Sequence, residues 1–247
     1  MLLALGCKPI GFDRTKVRIG VETSLGWGQS RFGVWLPELG VEVGSRMGSR
    51  VGLSLGKSML DPGSRSSPMT GEEEVILDNG LVRVTFSKPG GDVIGIKYKG
   101  IDNLLETDNI ESNRGYWDLV WNKKPGQKAN NIDTLQGARY DVIRADENGA
   151  EISFTRTWNI SMSGTTVPLN IEKRYIMLRN YPGFYTYSVL ERLDGWPEVE
   201  IGQIRIVYKL QQDKFKFMAI SDDRHRIMPT LKDRLTGQPL AYPELFS

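Results

Sequence analysis

From Glu74 onward, apolar and polar residues alternate in short runs, and that period of two predicts β-strands rather than helices. Val75-Ile76-Leu77 runs into Asp78-Asn79-Gly80, a tight-hairpin signal, because Asn-Gly readily adopts the left-handed turn conformation. Leu81 to Phe86 is the return strand, Lys88-Pro89-Gly90-Gly91-Asp92 a turn, and Val93 to Tyr98 a third strand closed by Lys99-Gly100. Further strands are predicted at Ala138 to Ala145, Glu151 to Trp158, Leu169 to Leu178, Phe184 to Leu193, Ile201 to Leu210 and Phe215 to Ile220. Turn signals such as Arg179-Asn180-Tyr181-Pro182-Gly183 separate them, and no segment keeps a long helical period. Many short strands with recurrent turns point to an all-β antiparallel sandwich or barrel.

The first 70 residues lack this pattern. They hold 12 of the 27 glycines, and their short apolar pairs, such as Val34-Trp35-Leu36, keep no strand or helix period. Ordering a glycine-rich chain is entropically costly, and here little apolar surface offsets that cost. Residues 1–70 are therefore predicted to be a mostly disordered, Gly-rich segment, ending in the linker-like Asp61-Pro62-Gly63-Ser64-Arg65-Ser66-Ser67-Pro68. Gly52-Leu53-Ser54-Leu55-Gly56-Lys57-Ser58 has three residues between its glycines, where a phosphate-binding loop needs four, so that reading is set aside.

Composition narrows the function. A formal charge of +2 over 247 residues gives no reason to expect nucleic acid or an anionic membrane as partner. A single cysteine, Cys7, excludes an internal disulfide, and one histidine, His225, leaves no His/Cys cluster for zinc. No cofactor and no metal are expected. The apolar opening, Met1 to Cys7, lacks a basic n-region and is too short for an export signal.

Several longer motifs carry a family resemblance. Gly115-Tyr116-Trp117-Asp118-Leu119-Val120-Trp121-Asn122 resembles plant rhamnogalacturonan lyases of polysaccharide lyase family 4. So do Lys173-Arg174-Tyr175-Ile176-Met177-Leu178-Arg179, Gly183-Phe184-Tyr185-Thr186-Tyr187, the run Ile201 to Leu210, and the stretch from Met228-Pro229 to Tyr242-Pro243-Glu244. The motifs cover about residues 72–244; Leu245-Phe246-Ser247 departs from the pattern. The resemblance implies a β-supersandwich of the galactose-mutarotase-like type over residues 71–247, truncated at its C-terminal end and so incomplete. It implies a monomer acting on the pectic polysaccharide rhamnogalacturonan I, in the cell wall outside the cell although no signal peptide is visible. A sandwich lacking its last strands leaves an open edge, so such a chain is expected to aggregate readily.

The implied reaction is β-elimination at the rhamnose–galacturonate bond. The C5 proton of galacturonate is weakly acidic, because the neighbouring carboxylate resists a second negative charge. A lyase must neutralise that carboxylate and place a base near C5. By resemblance, Arg205 matches an arginine that contacts substrate, and Lys209 stands where fungal relatives carry a second arginine. Strand geometry puts positions 201, 203, 205, 207 and 209 on one face. The alternative is that both cations are simply solvated. Tyr116, Trp117 and Trp121 are candidate sugar-stacking residues; the alternative for the two tryptophans is core packing. The catalytic lysine and its partner histidine are expected, by resemblance, beyond residue 247, so no catalytic residue is assigned. Asp222-Asp223-Arg224-His225 only echoes that segment, since arginine stays protonated and is a poor base. His225 is either an acid–base group or an ordinary loop histidine. Asn159-Ile160-Ser161 fits the N-glycosylation pattern, which also arises by chance.

Two functions stay open: a rhamnogalacturonan endolyase, or a catalytically inactive fragment that at most binds carbohydrate. A mutarotase-like epimerase is disfavoured because that chemistry wants a histidine and a carboxylate in a pocket, and the chain has one histidine.

Overall fold

A computed structural model describes residues 2–6, 16–24, 34–35, 52–54, 74–107, 114–122, 131–221, 224–227 and 231–237, with side chains over 74–107, 114–122 and 131–217 and at some positions beyond. Two antiparallel sheets account for nearly all of it. The first has eight strands. β1 (Leu2–Gly6), β14 (Glu200–Lys209), β8 (Gly115–Asn122), β7 (Val93–Tyr98), β6 (Val82–Ser87), β5 (Glu74–Asp78) and β4 (Gly52–Ser54) lie in that order, and β9 (Asn131–Asp133) also pairs with β8. The second runs β10 (Arg139–Asp146), β11 (Gly149–Arg156), β12 (Asn170–Leu178), β13 (Gly183–Glu191), β2 (Lys16–Ser24) and β3 (Val34–Trp35). A separate hairpin, β15 (Phe217–Ser221) with β16 (Arg224–Ile227), precedes the short helix α1 (Leu231–Thr236).

The strands follow from the alternation already read. In β12, Ile171, Lys173, Tyr175 and Met177 point inward while their neighbours are half-buried. In β6, Val82, Val84 and Phe86 are inward. The expected Asp78-Asn79-Gly80 hairpin forms: Gly80 sits at φ +81°, and the Asn79 side chain accepts from the Leu81 and Val82 amides at 3.0 Å each.

The two inner faces share one core. Phe86 of the first sheet meets Tyr175 of the second at 4.6 Å between ring centroids, and Tyr208 meets Phe184 edge-on at 6.2 Å. The Trp117 indole N–H donates to Thr186 Oγ1 across the interface at 3.2 Å. Burying each such large side chain contributes about 1.5–3 kcal/mol.

Among the described residues, two cations lie inside this core, which composition did not announce. Lys173 is fully buried; its Nζ donates to the Gly91 carbonyl at 3.3 Å and lies 3.7 Å from Asp92 Oδ1. Arg156 makes a bidentate pair with Asp133 at 3.0 and 2.7 Å, and Asp133 also accepts from the Leu135 and Val167 amides. A buried charge is tolerated only when paired and hydrogen-bonded in this way.

The low-order segment expected over residues 1–70 lies mostly outside the described residues. Its described parts are β1 to β4, and each joins a sheet: β1 pairs β14, β2 pairs β13, β3 pairs β2 and β4 pairs β5.

Candidate functional site

The central feature is the outward face of β14 and β8. β14 carries a bulge: Ile201 pairs with Trp121 and Gln203 with Val120, so Gly202 is the extra residue. The bulge changes the expected phasing. Ile201 turns inward with Ile204, Ile206 and Tyr208, all in the core, so position 201 does not share a face with 203, 205, 207 and 209 as simple alternation predicted. The other four keep that relation.

Arg205 lies directly across from Asp118 of β8. Its Nε donates to Asp118 Oδ1 at 2.7 Å and its Nη2 to Oδ2 at 2.5 Å. Side-chain exposure is 28% for Arg205 and 3% for Asp118, so the carboxylate is a buried anchor and the guanidinium reaches the surface. The Asp118 hydrogen bonds push the Arg205 pKa further up. A fork held at Nε and Nη2 leaves its Nη1 end uncommitted by Asp118, and a guanidinium edge can take a second carboxylate.

Lys209 lies four residues further along β14, on the same face. Its Nζ is 5.7 Å from the centroid of the Tyr116 ring, and Tyr116 stands opposite Val207. The backbone at Lys209 is fixed on both sides: its amide donates to Arg114 and its carbonyl accepts from the Glu106 amide, each at 2.7 Å. The structure thus brings Arg205, Lys209 and Tyr116 together. A partly exposed tyrosine beside two cations is suited to a charged sugar, with the ring for the apolar C–H face and the cations for the carboxylate.

Trp117 and Trp121 are on the other side. They are 1% and 3% exposed and point into the core, which matches the packing alternative; neither offers a ring face beside Arg205. Trp121 also lines a shallow cavity with Trp158, Pro168 and Pro197 at one end of the sandwich. The His225 side chain lies outside the described residues; its backbone belongs to β16, opposite Ala219, rather than to a turn.

Asp118 was missed as a partner. The sequence showed it inside a recognised motif, but only the pairing of β8 with β14 reveals which cation it meets. The strand β8 itself was not read from the pattern. Another perturbed group is not a site. Desolvation lowers the Lys173 pKa from 10.5 to about 8, against the pull of Asp92. Such a value suits a catalytic base, but Nζ is enclosed between the sheets and no substrate reaches it. Among the described residues, no three His, Cys, Asp or Glu side chains are grouped to hold a metal ion.

A protein-family model described as the rhamnogalacturonate lyase family matches residues 58–247. The match starts ahead of the motifs at residues 72–244 and runs through Leu245-Phe246-Ser247. Comparison with curated proteins and with solved structures gave no match.

Proposed function

Because the chain belongs to the rhamnogalacturonate lyase family, we propose that its sandwich grips rhamnogalacturonan I on the outward face of β14 and β8, in β-elimination at rhamnose–galacturonate bonds outside the cell. The observation that carries this reading is the shared face of Arg205 and Lys209, with Tyr116 beside them. Neutralising the galacturonate carboxylate makes the C5 proton easier to remove. In this reading Nη1 of Arg205 takes the carboxylate while Asp118 holds the guanidinium still, and Lys209 adds positive charge close by. Preorganised charge is effective because nothing need reorient as the carbanion develops. The base that removes the proton is not assigned to any described residue.

A binding-only reading is kept because the site's one described carboxylate, Asp118, is buried and already committed to Arg205. The two readings separate in one experiment. The purified chain is incubated with rhamnogalacturonan I, ultraviolet absorbance of unsaturated uronate is followed, and retardation in polysaccharide-containing gels is measured in parallel. Rising absorbance supports the lyase; retardation without absorbance supports binding alone; neither signal refutes both.

A further inference from the structure

The connection between β11 and β12 carries Asn159-Ile160-Ser161. It is the one place in the chain where an asparagine is followed two residues later by serine or threonine without an intervening proline. Simple alternation placed this triplet at a strand end. In the structure β11 has already finished at Arg156, and Asn159 is the N-cap of a 3-10 turn, Ile160–Met162. All three residues are exposed, Ile160 to 75%. Thr165 donates to the Met162 carbonyl, and the neighbouring Ser163, Gly164 and Thr165 are small and exposed. There is room at this turn for a bulky adduct, and no core residue must move to admit it.

The local hydrogen bonding is specific. The Ser161 amide donates to Asn159 Oδ1 at 3.0 Å and the Ser161 hydroxyl donates to the same atom at 2.5 Å. A backbone N–H can only donate, so the atom facing it must be the carbonyl oxygen, which fixes the orientation of the amide. Both donors of residue 161 are thereby spent on Oδ1, and neither engages Nδ2. The hydroxyl two residues on, which the modification requires, already touches the side-chain amide.

We propose that Asn159 is an N-glycosylation site. The co-reactant is a lipid-linked oligosaccharide diphosphate. Nδ2 forms the new bond to the anomeric carbon of the first sugar, the bond from that carbon to the diphosphate oxygen breaks, and the lipid diphosphate leaves with the electron pair. The Nδ2 proton passes to a base of the transferase. The glycan would cover Ile160, the most exposed apolar side chain of this loop. It would also leave the β14 face open. The loop lines the shallow cavity beside Trp121 and Glu198, whereas Arg205 pairs with Asp118, four residues along β8 from Asn122, the partner of Glu200, roughly 13 Å at strand spacing. The inference shares with the proposed function a passage through the secretory pathway, but its readout is mass and does not depend on lyase activity.

The test is translation of the full chain behind a cleavable leader in the presence of endoplasmic-reticulum membranes. Leader removal and protease protection report translocation. The expected result is one added glycan on the translocated chain, released by peptide N-glycosidase with conversion of Asn159 to aspartate. Asn159→Gln and Ser161→Ala should both abolish it, and Ser161→Thr should keep it. A translocated chain without the glycan, or a glycan that survives Asn159→Gln, overturns the proposal.

Discussion

At the scale of the residue, two ion pairs illustrate opposite uses of charge. Arg205 and Asp118 meet at the surface, with the acid as the buried partner. Asp118→Asn removes the charge that anchors the fork while keeping its shape. It should weaken binding to rhamnogalacturonan I several-fold and leave the circular-dichroism spectrum unchanged. Arg205→Ala should cost stability as well, on the order of 1–3 kcal/mol, because a buried carboxylate loses its donors. Lys173 and Asp92 instead lie within the core. Lys173→Met alone should destabilise by about 3–5 kcal/mol, since Asp92 is left without its cation, whereas Lys173→Met with Asp92→Asn should recover most of the loss. Urea denaturation of the three variants checks both statements. The pH dependence has a definite sign. Folded Lys173 loses its proton near pH 8 and unfolded lysine near 10.5. Between those values the unfolded chain binds more protons, so the Lys173 contribution to stability rises with pH. Burial pushes the Tyr208 and Tyr175 hydroxyls up from 10.0, so above pH 10 their contribution falls. Denaturation midpoints measured from pH 7.5 to 10 should climb in the parent protein and flatten in the Lys173→Met, Asp92→Asn double variant.

At the scale of the element, period and turn chemistry made β5, β6, β7, β11, β12 and β13 legible, because each is a short apolar-rich run bounded by turn residues, and β6 and β12 alternate cleanly. β8 escaped notice because its outward positions mix a tyrosine, a buried acid and a valine, which blurs the polar phase. The bulge at Gly202 was not legible either, since an extra residue changes the phase without changing composition. A further constraint comes from Gly91. It has φ +78°, and a Cβ there would stand 2.4 Å from Phe154 Cγ. Its carbonyl accepts from both Lys173 and Tyr175. Gly91→Ala therefore combines a disfavoured backbone with a clash against a packed ring, and it should lose more than about 1–3 kcal/mol. Thermal unfolding of that variant, with Gly100→Ala as a control at similar φ in open space, separates the two contributions.

At the scale of the whole molecule, the sequence was enough to identify an all-β sandwich, because the alternation fixes one buried face per strand and two such faces must cover each other. It could not show which strands lie side by side, and the candidate site depends on that adjacency. Arg205, Lys209 and Tyr116 were named from the sequence, yet Asp118 enters only through the register of β8 on β14. Trp117 and Trp121, read as aromatic and therefore as sugar-facing candidates, sit on the inward side of the same strand. The central claim is that cations on this outer face meet a uronate carboxylate. It is tested most directly by comparing the affinity of the chain for rhamnogalacturonan I and for the same polysaccharide with its carboxyl groups reduced to alcohols. The account predicts at least about tenfold tighter binding to the charged form, or about 1.4 kcal/mol, and loss of that preference in the Arg205→Gln, Lys209→Gln double variant. Equal affinity for both polysaccharides, or a preference that the double variant retains, would contradict it.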